Sequence, residues 1–137
     1  MTITICGSMM FTEKMLETQV VLESQGHRVF VSGFSDSYLG KSDEEKTELV
    51  FKHKYENDAI REHWEKIKQS DAILVLNYDR KGVANYIGGN TLMEIGFAHV
   101  LSKKIFLLNP IPEIEFYKSE IEAVRPIILN GDLNQLH

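Results

Sequence analysis

Two apolar rhythms take turns along the chain. Thr2-Ile3-Thr4-Ile5-Cys6 is a β-branched run that stops at Gly7-Ser8, and it predicts a short strand. A helical rhythm starts near Thr12 on Met15, Leu16, Val20 and Val21, and Gly26 suits its C-terminal stop. Val29-Phe30-Val31 predicts a second strand running into the polar loop Gly33-Phe34-Ser35-Asp36-Ser37. Ser42-Asp43-Glu44-Glu45 has the spacing of a capping box, and helical pattern follows as far as Gln69. Within it Ile60, Trp64 and Ile67 recur at i, i+4 and i+7, so they are expected to face the sheet. Ala72-Ile73-Leu74-Val75-Leu76 is continuously apolar, as in a strand covered on both faces. A glycine-containing loop over 77–89 leads to a helix over 91–101 with Leu92, Ile95, Ala98 and Val100 as its apolar positions. A buried strand over 105–108, an amphipathic helix over 113–124 and an edge strand over 126–129 complete the pattern.

The order β-α-β-α-β-α-β-α-β predicts an α/β fold: one three-layer α/β/α domain spanning 1–137. Its sheet is expected to have five mostly parallel strands in a Rossmann-like (flavodoxin-like) arrangement. Ligands of such sheets bind beyond the carboxyl ends of the strands. Here those ends are Gly7-Ser8, Gly33, Asn77 to Asp79 and Asn109, joined by the helix start at Asn90-Thr91.

Composition narrows the function classes. Hydrophobic residues make up 43% of 137, enough for a real core, and the formal net charge of -5 leaves no basic footprint for a nucleic-acid partner. The single cysteine, Cys6, excludes an internal disulfide and reads as a small core residue. No apolar run approaches the ~18–20 residues that span a membrane. Residues 1–11 lack the basic start of a signal peptide, so the cytoplasm is the expected compartment. There is neither a GxGxxG fingerprint nor a P-loop, and the histidines show no metal-ligand spacing. No metal and no cofactor are expected.

Chemistry concentrates in two segments. Gly7 lets backbone approach a ligand, and the Ser8 hydroxyl with nearby N–H groups can bind phosphate; a plain strand-to-helix turn is the equal alternative. Gly88-Gly89-Asn90-Thr91-Leu92-Met93-Glu94 opens a helix with two glycines, a geometry that converges N–H groups on an anion. Glu94 is expected in the first turn, where the helix dipole favours the ionised form a nucleophile needs. Thr91-x-x-Glu94 is also a capping box, which is the competing reading. His63 sits beside Ile60 and Ile67, as a hydrogen-bonded core residue or as an acid–base group. Asp79 and Asn77 are placed for ligand hydroxyls or as turn residues.

Taken together these segments resemble the nucleoside 2-deoxyribosyltransferase superfamily, most closely its (deoxy)nucleoside 5′-monophosphate N-hydrolase branch. Glu94-Ile95-Gly96-Phe97-Ala98 is similar to the family's E-x-G-x-A helix, whose glutamate attacks the anomeric carbon. Lys103-Lys104-Ile105-Phe106-Leu107-Leu108 and Gln69-Ser70-Asp71-Ala72-Ile73 resemble flanking family segments, and Cys6-Gly7-Ser8 resembles the strand end that binds the 5′-phosphate in the hydrolases. Gly88 stands where the transferases carry an aspartate and the hydrolases a phosphate-binding serine. His63 stands where the family usually has an aspartate. Gly88-Gly89-Asn90-Thr91-x-x-Glu94 also resembles the G-G-x-G-T-x-x-E motif of cytokinin-activating nucleotide phosphoribohydrolases.

The resemblance implies cleavage or transfer of the N-glycosidic bond of a (deoxy)nucleoside or its 5′-monophosphate. Glu94 is the expected nucleophile and His63 a second catalytic candidate. Gly7, Ser8, Asp79, Gly88, Gly89, Asn90 and Thr91 are expected to bind substrate. The implied partners are the small-molecule nucleoside or nucleotide and further copies of the chain in a homo-oligomer. The rival reading is a non-catalytic nucleotide-binding or sensing module on the same scaffold.

Overall fold

Each β-branched run becomes a strand and each is followed by a helix in the computed structural model, which describes residues 1–137. The strands are β1 (Thr2–Cys6), β2 (Arg28–Phe30), β3 (Ala72–Val75), β4 (Lys104–Leu107) and β5 (Ile127–Ile128). The helices are α1 (Thr12–Ser24), α2 (Asp43–Glu56), α3 (Ala59–Lys68), α4 (Gly89–Val100) and α5 (Lys118–Ala123). Short 3-10 turns cover Met9–Phe11, Ser35–Tyr38 and Leu133–Gln135.

All five strands are parallel, in the order β2-β1-β3-β4-β5. This is the flavodoxin-like order, and its switch point lies between β1 and β3. Thr4 pairs with Phe30 and Ile73, while Cys6 pairs with Val75. Alternation along the strands sorts the core into two halves. Ile3, Ile5, Leu74 and Phe106 pack with Met15 and Leu22 of α1 and with Leu136 near the C-terminus. Cys6, Ile73, Val75 and Leu107 pack with Ile67 of α3, Ile95 and Ala98 of α4, and Ile121 of α5. No helix is long and apolar enough to cross a membrane.

Four sequence expectations change. The helical pattern ending at Gln69 is two helices, because Asp58 takes a left-handed conformation (φ 47°) and caps α3 through a bond from the Arg61 N–H. The inward face of α3 is His63 with Ile67; Ile60 and Trp64 are half-buried, with Trp64 beneath the Lys68 ammonium 4.3 Å from the ring centroid. On α1 the buried positions are Thr12, Met15, Thr18 and Leu22, and Val20 and Val21 face solvent, as Val100 does on α4. The last helix is only Lys118–Ala123.

The two-helix break matters because it frees α2 from the sheet. The capping box forms as expected, with reciprocal Ser42–Glu45 bonds. Yet α2 buries only Lys46 and His53. The Lys46 ammonium is bound 2.9 Å from the Glu13 carboxylate and also donates to the Met10 carbonyl, so α2 is tied over the carboxyl rim near the start of α1.

The Asp58 junction is testable. Replacing Asp58 with alanine removes the cap and places a Cβ-bearing residue without local hydrogen bonding in the left-handed region, so the denaturation midpoint should fall clearly. Asp58→Asn keeps both properties and should fall by much less. Chemical denaturation of the two variants checks this.

Candidate active site

The carboxyl rim at the switch point is built from β1, α3 and α4. Gly7 follows β1 with φ +151°, and a Cβ there would lie 3.0 Å from the Leu76 carbonyl oxygen, so only glycine lets the strand end pass β3. Ser8 caps the Met9–Phe11 turn by accepting from the Met10 N–H at 3.3 Å.

His63 of α3 reaches back to β1, with its Nε2 3.1 Å from the Ile5 carbonyl oxygen. A carbonyl only accepts, so Nε2 carries the hydrogen. The same nitrogen lies 3.6 Å from the Cys6 sulfur and 3.7 Å from Oε2 of Glu94. Glu94 is 14% exposed at its side chain, and its carboxylate, the Cys6 thiol and the imidazole lie within 4.8 Å of one another.

Burial pushes the Glu94 carboxyl above the usual carboxylate range, while the His63 ring and the Cys6 thiol pull it back down. Burial, with Glu94 next to it, pushes the Cys6 thiol well up, so Cys6 is no nucleophile here. The capping-box reading of Thr91-x-x-Glu94 does not form. The helix begins two residues earlier, at Gly89, with Gly88 as an N-cap that offers no side-chain bond. That puts Glu94 in the second turn, where burial outweighs the dipole.

Glu94, His63, Cys6, Gly7 and Asn90 line an inner chamber whose other wall is Phe34, Tyr38 and His53. Tyr38 is fully buried and its hydroxyl is pushed up to about 12 by burial, so it stays protonated, and it is hydrogen-bonded to Nδ1 of His53 at 2.9 Å. Burial, and then Lys52, lower the His53 pKa. Phe34 stacks on the His53 ring at 4.2 Å.

An outer cleft continues from the chamber, sharing Gly7, Met9, Val50, Lys54 and Asn90 with it. Ser8, Gly88, Gly89 and Thr91 line this cleft, and so do Lys54, Arg80 and Lys81. The first helical bond of α4 is from the Leu92 N–H to the Gly88 carbonyl, so the N–H groups of residues 89–91 have no helical acceptor. A helix start lining the same cleft as three cations, in a chain of net charge -5, has the local chemistry an anion would need. The cations Arg80 and Lys81 ride on a small flap, closed by paired backbone bonds between Arg80 and Val83 across Lys81-Gly82, both at positive φ. The Arg80 guanidinium lies 5.4 Å from the Tyr86 ring centroid.

The expected site residues therefore separate. Glu94 and His63 meet in the chamber; Ser8, Gly88, Gly89 and Thr91 line the cleft; Gly7 and Asn90 line both. Asp79 lines neither, because it accepts from the Asn85 N–H at 2.9 Å and shapes the flap. Asn77 is fully buried and locked to Asn109 by reciprocal bonds of 2.8 to 3.2 Å, with a further bond to the Pro110 carbonyl. The sequence reading missed Cys6 as a neighbour of Glu94, and it missed His53, Lys54, Arg80 and Lys81. One signal was available: Lys46 and His53 stand at i and i+7 on a helix with no apolar stripe.

No family model and no curated protein matches the sequence. Solved structures do. The fold is similar to that of a nucleotide N-glycosidase. The Clostridium botulinum CMP N-glycosidase BcmB matches with a TM-score of 0.50 and 20% identity, over 95% of this chain and 90% of that one. A 2-deoxyribosyltransferase from Bacillus psychrosaccharolyticus matches with a TM-score of 0.48 and 22% identity, over 93% of this chain and 98% of that one.

The raised Glu94 carboxyl has a consequence for stability. On titration upward, the unfolded chain releases this proton at an ordinary carboxylate pKa, before the folded chain does. Folding is therefore disfavoured as pH rises through that interval. Glu94→Gln removes the ionisation and should stabilise the protein by ~1 kcal/mol near pH 7. The gain should vanish below about pH 4, where both states are protonated. Thermal unfolding of the two proteins across pH measures the difference.

Proposed function

We propose that the chain cleaves the N-glycosidic bond of a (deoxy)nucleoside 5′-monophosphate, with Glu94 as nucleophile. The observation that carries this reading is the pairing of a buried carboxylate, Glu94, with a cleft lined by Lys54, Arg80, Lys81 and a helix start that opens directly from its chamber. A nucleotide has both parts: an anomeric carbon to attack and a phosphate to hold. The similar fold of the CMP N-glycosidase supports the same substrate class.

In this mechanism Gly88, Gly89, Asn90 and Thr91 present N–H groups to the phosphate, assisted by Ser8, Lys54 and Arg80. The ribose then spans inward and brings C1′ to Glu94. The Glu94 carboxylate displaces the base and forms a glycosyl ester, which water hydrolyses; another base in place of water gives transfer. His63 lends its imidazole to the nucleophile, lowering the carboxyl pKa from the side. The departing base needs a proton, and the imidazolium form of His53 on the α2 wall, a stronger acid for its lowered pKa, supplies it and returns to neutral imidazole, with Phe34 and the His53 ring forming the surface on which a base lies. A homo-oligomer belongs to the same proposal, and size-exclusion chromatography checks it by elution as more than one chain.

The test is base release from a panel of nucleoside and deoxynucleoside 5′-monophosphates. Wild type should release base from at least one member. Glu94→Ala and Glu94→Gln should each lower kcat by roughly 10⁴-fold with the fold retained. Arg80→Ala should raise KM for monophosphates and leave KM for the parent nucleosides little changed. No release from any member, together with nucleotide-dependent thermal stabilisation, identifies a binding module instead.

A further inference from the structure

Cys6, His63 and Glu94 are a chemically odd trio to bury around one small space. They come from three different elements: the end of β1, the inward face of α3 and the second turn of α4. Each offers one donor atom of the kind that binds a borderline transition metal: a thiol sulfur, an imidazole nitrogen and a carboxylate oxygen.

Their spacing fits such an ion. In a tetrahedral zinc site, with bonds of about 2.0–2.1 Å to nitrogen and oxygen and about 2.3 Å to sulfur, adjacent ligand atoms lie about 3.3–3.6 Å apart. Here sulfur and Nε2 are 3.6 Å apart and Nε2 and Oε2 are 3.7 Å apart. The sulfur lies within 4.8 Å of the carboxylate, so this last edge closes by a rotamer adjustment of two side chains. The fourth position faces the inner chamber, which all three residues line and where water can enter.

We propose that Cys6, His63 and Glu94 form a three-ligand Zn²⁺ site whose occupation shuts the pocket down. Binding balances without redox chemistry. The Cys6 S–H bond breaks as the S–Zn bond forms, and its proton leaves to solvent. The His63 ring keeps one proton, which moves through water from Nε2 to Nδ1 and frees Nε2 to bind the metal; the bond to the Ile5 carbonyl is given up. Glu94 binds as the carboxylate, releasing its proton where it carried one. A divalent cation inverts the local preference for neutral groups and deprotonates the thiol outright. A zinc-bound Oε2 is no longer a free nucleophile. That inhibitory consequence rests on the function proposed above; the metal site itself does not.

The experiment uses the untagged chain stripped with a chelator. Titration with Co²⁺ should give the visible bands of a tetrahedral site and a near-ultraviolet sulfur-to-cobalt band, saturating at one ion per chain and bleached by Zn²⁺. Cys6→Ser and the apolar Cys6→Ala should both lose the sulfur band. As changes at a direct ligand, both should weaken zinc binding by roughly 100-fold or more. Base release is then measured for each protein in chelator and in zinc, each relative to its own chelator value. Zinc should suppress wild type and leave the ratio near one in both Cys6 variants.

Absence of the sulfur-to-cobalt band, or equal zinc affinity in wild type and the Cys6 variants, overturns the site. A band with unchanged base release in zinc, or base release that requires zinc, overturns the inhibition. If chelated wild type releases no base from any nucleotide, the proposed function falls, and the cobalt spectrum still decides the metal site.

Discussion

One backbone carbonyl organises the rim of this sheet. Along β1 the carbonyls of Thr2 and Cys6 accept from the β3 side, at Asp71 and Leu76, while that of Met1 accepts from Arg28 on the β2 side. The alternation turns the Ile5 carbonyl toward β2, but β2 ends in its pairing with β1 at Phe30, opposite Thr4. A buried carbonyl without a strand partner must find another donor. His63 is that donor. Because Nε2 is committed to Ile5, the imidazole is held in one tautomer at the meeting point of Cys6 and Glu94. A carboxylate at position 63 could accept but not donate, so it could not close the strand end in this way. The premature end of β2 and the identity of residue 63 are one structural fact.

That bond also explains why α3 is rotated from its simplest reading. Ile60, Trp64 and Ile67 are the apolar positions, and apolar spacing alone turns Trp64 inward. The satisfied carbonyl is worth more than the partial burial of an indole, which still finds a half-buried seat near Phe97 and beneath Lys68. The strands and their order were legible because parallel strands buried on both faces leave long apolar runs, as at 72–76. The Ser42–Glu45 box was legible because its signal is local. The break at Asp58 was not: it carries no glycine or proline, only an Asn-Asp pair whose side chains tolerate the left-handed region.

The site was legible to a different degree. Glu94 and the glycines before it announce themselves by spacing, since two glycines at a helix start have few structural uses. The cations could not be read, because Lys54 lies far in sequence from the Arg80-Lys81 pair and only the fold brings α2 and the flap to one cleft. Asp79 looked like a ligand for the same reason that it is not one: a short acid at the end of a strand is equally able to bind the N–H of its own turn, and the Asn85 N–H is nearer.

The role of α2 follows from what it fails to bury. A helix that covers a sheet needs an apolar stripe; α2 has instead one lysine and one histidine beneath it, the lysine held by Glu13 and the Met10 carbonyl and the histidine by Tyr38. It is thus fastened to the scaffold at two points and helps wall the chamber where Glu94 is largely desolvated. Removing water raises the energy of the Glu94 carboxylate, which weakens the fold. The α2 wall, the histidine that steadies Glu94 and the glycine that lets β1 pass β3 all serve that one unfavourable placement. Under the proposed function that placement has a use, because a carboxylate stripped of water is the stronger nucleophile.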